Sequence, residues 1–332
     1  MIKQINWGII GCGDVTEVKS GPAFNKIAQS KLVAVMRRNA DKAADYAHRH
    51  GVPKWYADAD KLINDPDINA IYIATPPNTH AAYTLAALQA GKPVYVEKPM
   101  ALNAAEARQM FNDAREKGVK FCVAHYRRMQ PMFLKIKSLV EEEAIGDIRF
   151  VQLHLLQSQS ANLIARSEED WRTNPALSGG GLFHDLAPHQ IDLMLYLFGA
   201  VKQYSGSAFN QTNTSRADDL VSGSILFENK ILFNGVWCFS VNEQAVTDTC
   251  AIYGSKGTIH FGFFGHQVSV TIDGRTRLLE FEPLQHVQQP MIEKVVDYFR
   301  GSGGNPCSGA VGTEVMEIID AFTANNTNGL NL

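Results

Sequence analysis

The stretch WGIIGCGDVTEV, residues 7–18, decides the fold of this chain. Its apolar start predicts a buried strand, and two glycines follow that strand directly. Gly11 permits a tight turn, and Gly13 lets the backbone approach a pyrophosphate at the N-terminus of the next helix. The third position of this fingerprint is Thr16, where Gly or Ala is usual, so the context of the motif carries the prediction of dinucleotide binding. The residues predicted to line the turn are Gly11, Gly13, Asp14 and Val15.

That context is an alternation of strands and helices over the first 125 residues, which predicts a parallel sheet with right-handed crossovers. The strands are predicted at residues 5–10, 31–36, 70–74, 93–97 and 120–125. One of the intervening helices is predicted at 78–91, where Gly91 ends it. Residues 1–124 are therefore predicted to be a Rossmann domain that binds NAD(P).

The pattern changes after residue 125. Successive β runs with turn signals between residues 200 and 282 predict a large, mostly antiparallel open sheet. The other predicted elements are helices at 131–143, 178–199, 287–300 and 312–325 and a strand at 148–159. We expect residues 125–332 to form an α/β domain for substrate binding and oligomerisation, which touches the first domain and shares a cleft with it.

Composition excludes several classes of protein. A hydrophobic fraction of 45% and a charged fraction of 20% fit a globular chain with a sizeable core, and the net charge of −3 argues against a nucleic-acid partner. The sequence contains no apolar window of the length that a membrane span needs, and the N-terminus lacks the features of a signal peptide. Five dispersed cysteines predict reduced thiols in the cytoplasm, and no metal site is indicated.

Two arginines follow the second predicted strand, in VAVMRRN (33–39). A protein that selects NAD usually has an acidic residue here for the ribose 2′-hydroxyl. Arg37, with Arg38 beside it, instead offers a bidentate fork for a 2′-phosphate, so NADP is predicted as the cofactor, with NAD as the alternative. The competing interpretation is a loop with two solvated arginines.

The loop ATPPNTH (74–80) follows another strand and faces the cofactor crevice if the sheet is parallel. Contacts with the ribose or nicotinamide and simple helix capping by Asn78 or Thr79 are equal interpretations. The residues of this loop predicted to bind the cofactor are Thr75, Pro76, Asn78 and His80.

The stretch VYVEKPMALN (94–103) places an acid and an amine, Glu97 and Lys98, at the inner end of a strand. Charges at the edge of a core are costly unless they are paired or used. A strand-end ion pair is the structural alternative to a functional site.

In SGGGLFHDLAPHQID (178–192), three glycines allow a close backbone approach before a helix begins. Asp185, His189 and Asp192 then recur at i, i+4 and i+7, on one face of that helix. A polar stripe that faces inward indicates a site, although a lone His189 would fit a structural role.

Taken together, GCGDVT, ATPPNTH, VEKP, YRRMQP (126–131), WR (171–172) and GGGLFHDLAPHQID resemble the glucose–fructose oxidoreductase/inositol dehydrogenase/MocA family, in its order and spacings. The resemblance covers essentially the whole chain. It implies an N-terminal Rossmann domain, a C-terminal domain whose open sheet often forms oligomer contacts, and oxidation or reduction of sugars, polyols and related cyclic compounds with NAD(P). A homodimer or homotetramer is expected, because the uncovered face of a one-sided sheet needs a partner.

The resemblance also implies roles for individual residues. Lys98 would stabilise charge on the reacting oxygen, His189 would exchange a proton with that oxygen, and Asp185 would bind a substrate hydroxyl or orient His189. Glu97 would support the nicotinamide, beside Lys98, and Pro99 would fix the turn, with a cis peptide bond as one form. The catalytic set is thus Lys98, Asp185 and His189, and the predicted substrate-binding residues are Tyr126, Arg127, Trp171 and Arg172, with interdomain packing as their alternative role.

Three hypotheses follow for the function. The first is an oxidoreductase that acts on a secondary alcohol or ketone of a sugar-like substrate. The second is a glycosidase with a tightly bound dinucleotide, in which oxidation is transient. The third is a non-catalytic dinucleotide sensor, which the full set of Lys98, Asp185 and His189 disfavours.

Overall fold

A computed structural model describes residues 2–159 and 171–324. The chain divides into two compact units. The first unit contains residues 1–130 and 284–316, and the second contains residues 131–283 and 317–332. The domain boundary predicted after residue 124 stays a prediction.

A six-stranded parallel sheet forms the centre of the first unit, which confirms the predicted Rossmann fold. Its strands are β1 (Ile5–Ile10), β2 (Ser30–Met36), β3 (Lys54–Tyr56), β4 (Ala70–Ile73), β5 (Val94–Val96) and β6 (Phe121–Val123), in the order β3-β2-β1-β4-β5-β6. The helices between them are α1 (Asp14–Val18), α2 (Ala40–His50), α3 (Ala59–Ile63), α4 (His80–Gln89) and α5 (Ala104–Glu116). The carboxyl ends of β1, β2, β4 and β5 therefore lie at one edge of the sheet.

An eight-stranded sheet forms the centre of the second unit. Its strands are β7 (Ile148–Leu156), β8 (Val201–Phe209), β9 (Leu220–Phe227), β10 (Leu232–Cys238), β11 (Thr247–Gly254), β12 (Gly257–Phe261), β13 (Gln267–Ile272) and β14 (Arg275–Glu280), in the order β14-β13-β12-β11-β7-β10-β9-β8. Only the β7–β10 pair is parallel among these strands, so the predicted mostly antiparallel sheet is confirmed. Helices α6 (Pro131–Glu141), α7 (Pro175–Ser178) and α8 (Leu182–Phe198) precede β8.

Two helices close the chain: α9 (Gln289–Arg300), which belongs to the first unit, and α10 (Gly309–Thr323), which starts there and ends in the second. Helix α9 completes the core of the first unit, because its Phe299 lies 5.5 Å from Trp7 between ring centroids. Trp7 is fully buried, also contacts Phe24 at 4.9 Å, and donates its indole N–H to Ser30.

The sheet of the second unit buries one face against helices. Trp237 on β10 packs edge-on against Phe183 of α8 at 5.2 Å and also contacts Phe322 of α10. The opposite face exposes large apolar side chains: Phe150 and Leu232, directly opposite each other on β7 and β10, are 39% and 38% exposed. Among the described residues, the structure has no helix of the length and apolarity that crossing a membrane requires.

Candidate active site

The glycine turn lies between β1 and α1, as the sequence predicts. Gly11 has φ +96°, and a Cβ atom there would lie 2.7 Å from the Cγ2 atom of Thr75, so this position requires glycine. A Cβ atom on Gly13 would meet open space, which leaves room for a ligand against the backbone. Thr16 is buried and donates its hydroxyl to the Gly13 carbonyl at 2.8 Å, so its side chain closes the turn at the third fingerprint position.

Arg37 and Arg38 follow β2 at the same edge of the sheet. Arg37 is half-buried and Arg38 is exposed. Burial raises the pKa of the Cys12 thiol to about 11, and the positive charge of Arg37 opposes that rise. Arg37 also follows directly on a residue that contacts the glycine turn, because the Met36 carbonyl accepts the N–H groups of Gly11 and Cys12 at 2.9 and 3.1 Å.

His80 joins the loops that follow β4 and β5. Its Nδ1 atom lies 2.9 Å from the carbonyl oxygen of Pro99, and its Nε2 atom lies 2.8 Å from that of Thr75. Burial lowers the pKa of His80 to about 4, so at physiological pH the ring is neutral and donates its single N–H to only one of these carbonyls. The side chain of His80 therefore packs between these two loops. Asn78 is exposed. The Thr79 hydroxyl lies 2.7 Å from the Thr75 hydroxyl and 3.0 Å from the Pro76 carbonyl oxygen, and it does not cap α4.

Glu97 and Lys98 stand at the carboxyl end of β5. Glu97 is buried, and its Oε1 atom accepts hydrogen bonds from the Tyr72 hydroxyl and the Gln288 side-chain amide, both at 2.5 Å. Its Oε2 atom accepts the backbone N–H of Lys98 at 3.2 Å. Burial raises the pKa of Glu97, and the hydrogen bonds from Tyr72 and Gln288 partly oppose the rise. The Lys98–Pro99 peptide bond is cis, which confirms that form of the turn.

Tyr126 and Arg127 lie in a short 3-10 helix that follows β6. Both side chains are buried, and the guanidinium carbon of Arg127 lies 5.8 Å from the centroid of the Tyr126 ring. Their predicted role in substrate binding stays a prediction.

In the second unit, α8 carries Asp185, His189 and Asp192 on one face, and all three are buried. Asp185 pairs with Arg172, whose Nε atom lies 3.2 Å from its Oδ2 atom. The Arg172 guanidinium also stacks on Trp171, 4.5 Å from the centroid. The structure thus joins one predicted catalytic residue with the predicted substrate-binding pair.

The glycines before α8 allow the close approach of the backbone to neighbouring atoms that the sequence predicts. Gly181 has φ +79°, and a Cβ atom there would overlap the Cβ atom of Ala217. A Cβ atom on Gly180 would overlap the ring of His184, which is buried and has its pKa lowered to about 4 by that burial. The ring of His184 therefore packs closely against the backbone of the glycine run.

Two residues at the site are missed by sequence reasoning. Tyr72 lies within the apolar strand β4, and Gln288 lies 191 residues from Glu97. A tyrosine in a buried strand is a weak signal, since its hydroxyl needs a partner. No local pattern marks Gln288, because its partner is distant in the sequence.

Comparisons with known proteins match both parts of the chain to one family. The family model described as the GFO/IDH/MocA oxidoreductase family with an NAD-binding Rossmann fold matches residues 5–125, and the model of the GFO/IDH/MocA C-terminal domain matches residues 133–260. The protein named Oxidoreductase P35 of Formosa agariphila is 48% identical over 322 residues, which cover 97% of this chain and 99% of that one.

Further relatives carry names of dehydrogenases. Trans-1,2-dihydrobenzene-1,2-diol dehydrogenase of Oryctolagus cuniculus is 31% identical over 253 residues, 76% of this chain and 72% of that one. Levoglucosan dehydrogenase in complex with NADH has a TM-score of 0.85 at 26% identity and covers 96% of both chains. The same enzyme in complex with NADH and L-sorbose has a TM-score of 0.84 at 25% identity and the same coverage.

Proposed function

Because this chain belongs to the GFO/IDH/MocA family and is an NAD(P)-binding oxidoreductase, we propose that it transfers a hydride between the nicotinamide and a secondary alcohol or ketone of a sugar, polyol or related cyclic compound. Relatives named as diol and levoglucosan dehydrogenases support this substrate class. Their substrates share ring carbons that bear hydroxyl groups. A partly buried charged pair such as Arg172–Asp185 can recognise these hydroxyl groups by hydrogen bonding.

The observation that carries the proposal is the common edge of the parallel sheet. The glycine turn after β1, Arg37 after β2, the Thr75 loop after β4 and Lys98 after β5 all follow carboxyl strand ends. Parallel sheets of this kind bind their ligands outside those ends. The open space at Gly13 and the packing of Gly11 on Thr75 fit a dinucleotide held along the edge.

NADP is the cofactor that the charges favour. Arg37 is half-buried beside the glycine turn, and a partly desolvated guanidinium forms strong, geometrically defined bonds with a phosphate. Arg38 adds a second positive charge on the exposed side of the same loop.

Each proposed catalytic residue has a separate task. When bound, the nicotinamide supplies the hydride donor or acceptor at C4. The Lys98 ammonium donates to the reacting oxygen and stabilises its developing negative charge. His189 takes the hydroxyl proton during oxidation and returns it during reduction. Asp185, held by Arg172 at 3.2 Å, orients a substrate hydroxyl or His189.

A panel of sugars, polyols and diols tests the function. Reduction of NADP or NAD is followed by nicotinamide absorbance, and the reverse reaction is tested with ketosugars. We expect at least one cyclic polyol or sugar to give net reduction of the cofactor. The proposal fails if no panel member gives hydride transfer in either direction. Cofactor that survives desalting, together with substrate cleavage and no net absorbance change, would instead identify the glycosidase.

A further inference from the structure

Gln288 occupies an unusual position at the start of α9. It is the residue before the helix, where Ser, Thr, Asp or Asn normally caps a helix with its side chain, yet its own side chain makes no cap. Its backbone N–H instead donates to the Lys19 carbonyl at 3.2 Å, and its carbonyl accepts the N–H of Ile292. The backbone of Gln288 is therefore fixed at both sides.

The side chain of Gln288 is buried and fixed as well. Its Oε1 atom accepts the hydroxyl of Tyr95 at 3.2 Å, which assigns the amide nitrogen to the other side. That nitrogen donates to the Oε1 atom of Glu97. A buried amide with a defined orientation is the arrangement that holds a neighbouring functional group in one geometry.

Glu97 transmits this constraint to the next residue. Its Oε1 atom is held by Gln288 and Tyr72, so its Oε2 atom is directed to the backbone N–H of Lys98. The side chain of Lys98 leaves the backbone one atom beyond that N–H. Fixing the carboxylate thereby fixes the start of the Lys98 side chain.

We propose that Gln288 is a positioning residue for the reaction, which acts through Glu97 to hold Lys98 in place. This inference rests on the proposed function, in which Lys98 acts on the reacting oxygen. The last segment of the first unit would thus set the geometry of a residue 190 positions earlier in the chain. The titratable groups that face the pair are Tyr72, Tyr95 and Lys98.

The test compares Gln288→Leu with Gln288→Glu in the full chain, with the cofactor and a substrate found in the panel. Gln288→Leu removes the hydrogen-bond donor to Glu97 and should thereby displace Lys98. We expect kcat to fall by about 10–100-fold, while cofactor affinity stays within a few-fold of the wild-type value. In Gln288→Glu, the introduced carboxyl shares one proton with Glu97. It donates like the amide while protonated, so kcat should approach the wild-type value at low pH and fall as the pair loses its proton at higher pH.

The matched control is Gln285→Leu, which makes the same change three residues earlier, where the side chain is exposed and accepts a hydrogen bond from Lys26. It should keep the wild-type kcat and pH profile. Tyr95→Phe is the second variant in case Gln288→Leu does not fold, since it frees the Gln288 amide to rotate and leaves Glu97 unchanged. It should lower kcat in the same direction by a smaller factor.

A second measurement does not depend on catalysis. Hydrogen exchange at the Lys98 amide should be slow in the wild type and the Gln285→Leu control, and faster in Gln288→Leu. If wild-type protein transfers no hydride, the proposed function fails, and this exchange still tests the positioning. Unchanged exchange at Lys98 in Gln288→Leu, or wild-type kcat with an unaltered pH profile in both Gln288 variants, would overturn the inference.

Discussion

At the scale of single residues, Arg37 is the side chain that we propose to select NADP over NAD. Arg37→Ala should weaken NADP binding by about 1.5–3 kcal/mol, the typical value of a hydrogen bond to a charged group, and leave NAD binding nearly unchanged. Titration with each dinucleotide, followed by protein fluorescence, measures the ratio of the NADP and NAD dissociation constants. Arg38→Ala is the comparison, because that side chain is exposed and should contribute less. An NADP/NAD ratio that is unchanged in Arg37→Ala would contradict the assignment.

In the proposed mechanism, Lys98 and His189 serve one proton-transfer event, so the rate losses of their single substitutions should not multiply in the double variant. Lys98→Met removes an electrostatic donor, which commonly costs about 10²–10³ in rate. His189→Ala removes a general acid–base, which commonly costs about 10²–10⁴. Both variants should keep cofactor affinity within a few-fold, and the double variant should lose less than the product. Single-turnover hydride transfer measures all four proteins. Near-full rates for His189→Ala at every pH would leave Lys98 as the better candidate.

Asp65 makes stability depend on pH. Burial alone would raise the pKa of Asp65, but hydrogen bonds from Lys54, the Asp67 N–H and Tyr56 outweigh it and lower the pKa from 3.8 to about 2. Because the carboxyl has a lower pKa in the folded state than in the unfolded state, its ionised form stabilises the fold at pH values above the unfolded pKa. That stabilisation is lost as the pH falls from about 4 to about 2.

Asp65→Asn should therefore lower the free energy of unfolding by about 1 kcal/mol at neutral pH. This value allows for solvent screening at the part-exposed Lys54. Its difference from wild type in urea unfolding should shrink as pH falls towards 2. A difference that stays constant across this range would show that the ionised carboxylate is not the source.

The residues of the proposed site can be identified in the sequence, whereas the tertiary contacts that hold them cannot. Several of these residues directly follow predicted strands: the glycines, the arginines and the Glu97–Lys98 pair. The strand pattern alone therefore indicates that they lie at the carboxyl edge of the parallel sheet. The pairing of Arg172 with Asp185 and of Gln288 with Glu97 depends on tertiary packing. Such contacts join segments that no periodicity relates.

At the scale of elements, the strands and helices with strong patterns are the ones the sequence predicts. Strand β3 is missed because Lys54–Tyr56 has three residues, none of them fully buried, and pairs only with β2. The turn between β13 and β14 lies in the region of predicted turn signals, and its Asp273 and Gly274 both have positive φ, as a type I′ hairpin turn requires.

Gly223 determines how α10 packs on the second sheet. A Cβ atom there would overlap the buried ring of Phe322, so Gly223→Ala should destabilise the protein by about 1–3 kcal/mol through overpacking. Gly304→Ala is the matched control, because a Cβ atom there meets no atom within 4 Å. Urea unfolding measures both. Combining Gly223→Ala with Phe322→Leu should recover part of the loss, and equal stabilities of the two alanine variants would contradict the overlap.

At the scale of the whole molecule, the exposed face of the second sheet is the proposed oligomer interface. Phe150 on β7 stacks on Tyr253 of β11 at 4.5 Å and lies opposite Leu232 of β10. Strands β7, β10 and β11 therefore present a row of apolar side chains on this face. A partner subunit would cover it. Light scattering should show a dimer or tetramer for the wild type and a smaller species for Phe150→Asp.

Trp55→Asp is the control for this prediction, since Trp55 is 46% exposed and lies in the first unit. It should keep the wild-type mass. A wild-type monomer at micromolar concentration would count against the interface.

The return of residues 284–316 to the first unit has a consequence for the synthesis of the protein on the ribosome. Phe299 completes the core around Trp7, and the N–H of Val123 donates to the carbonyl of Cys307 at 3.0 Å. Chains grow at about 5–20 residues per second, so the residues of the N-terminal sheet are synthesised roughly 10–40 s before these partners. During that interval its apolar side chains are available to chaperones, and a nascent chain released before this segment should be degraded rather than bind a dinucleotide.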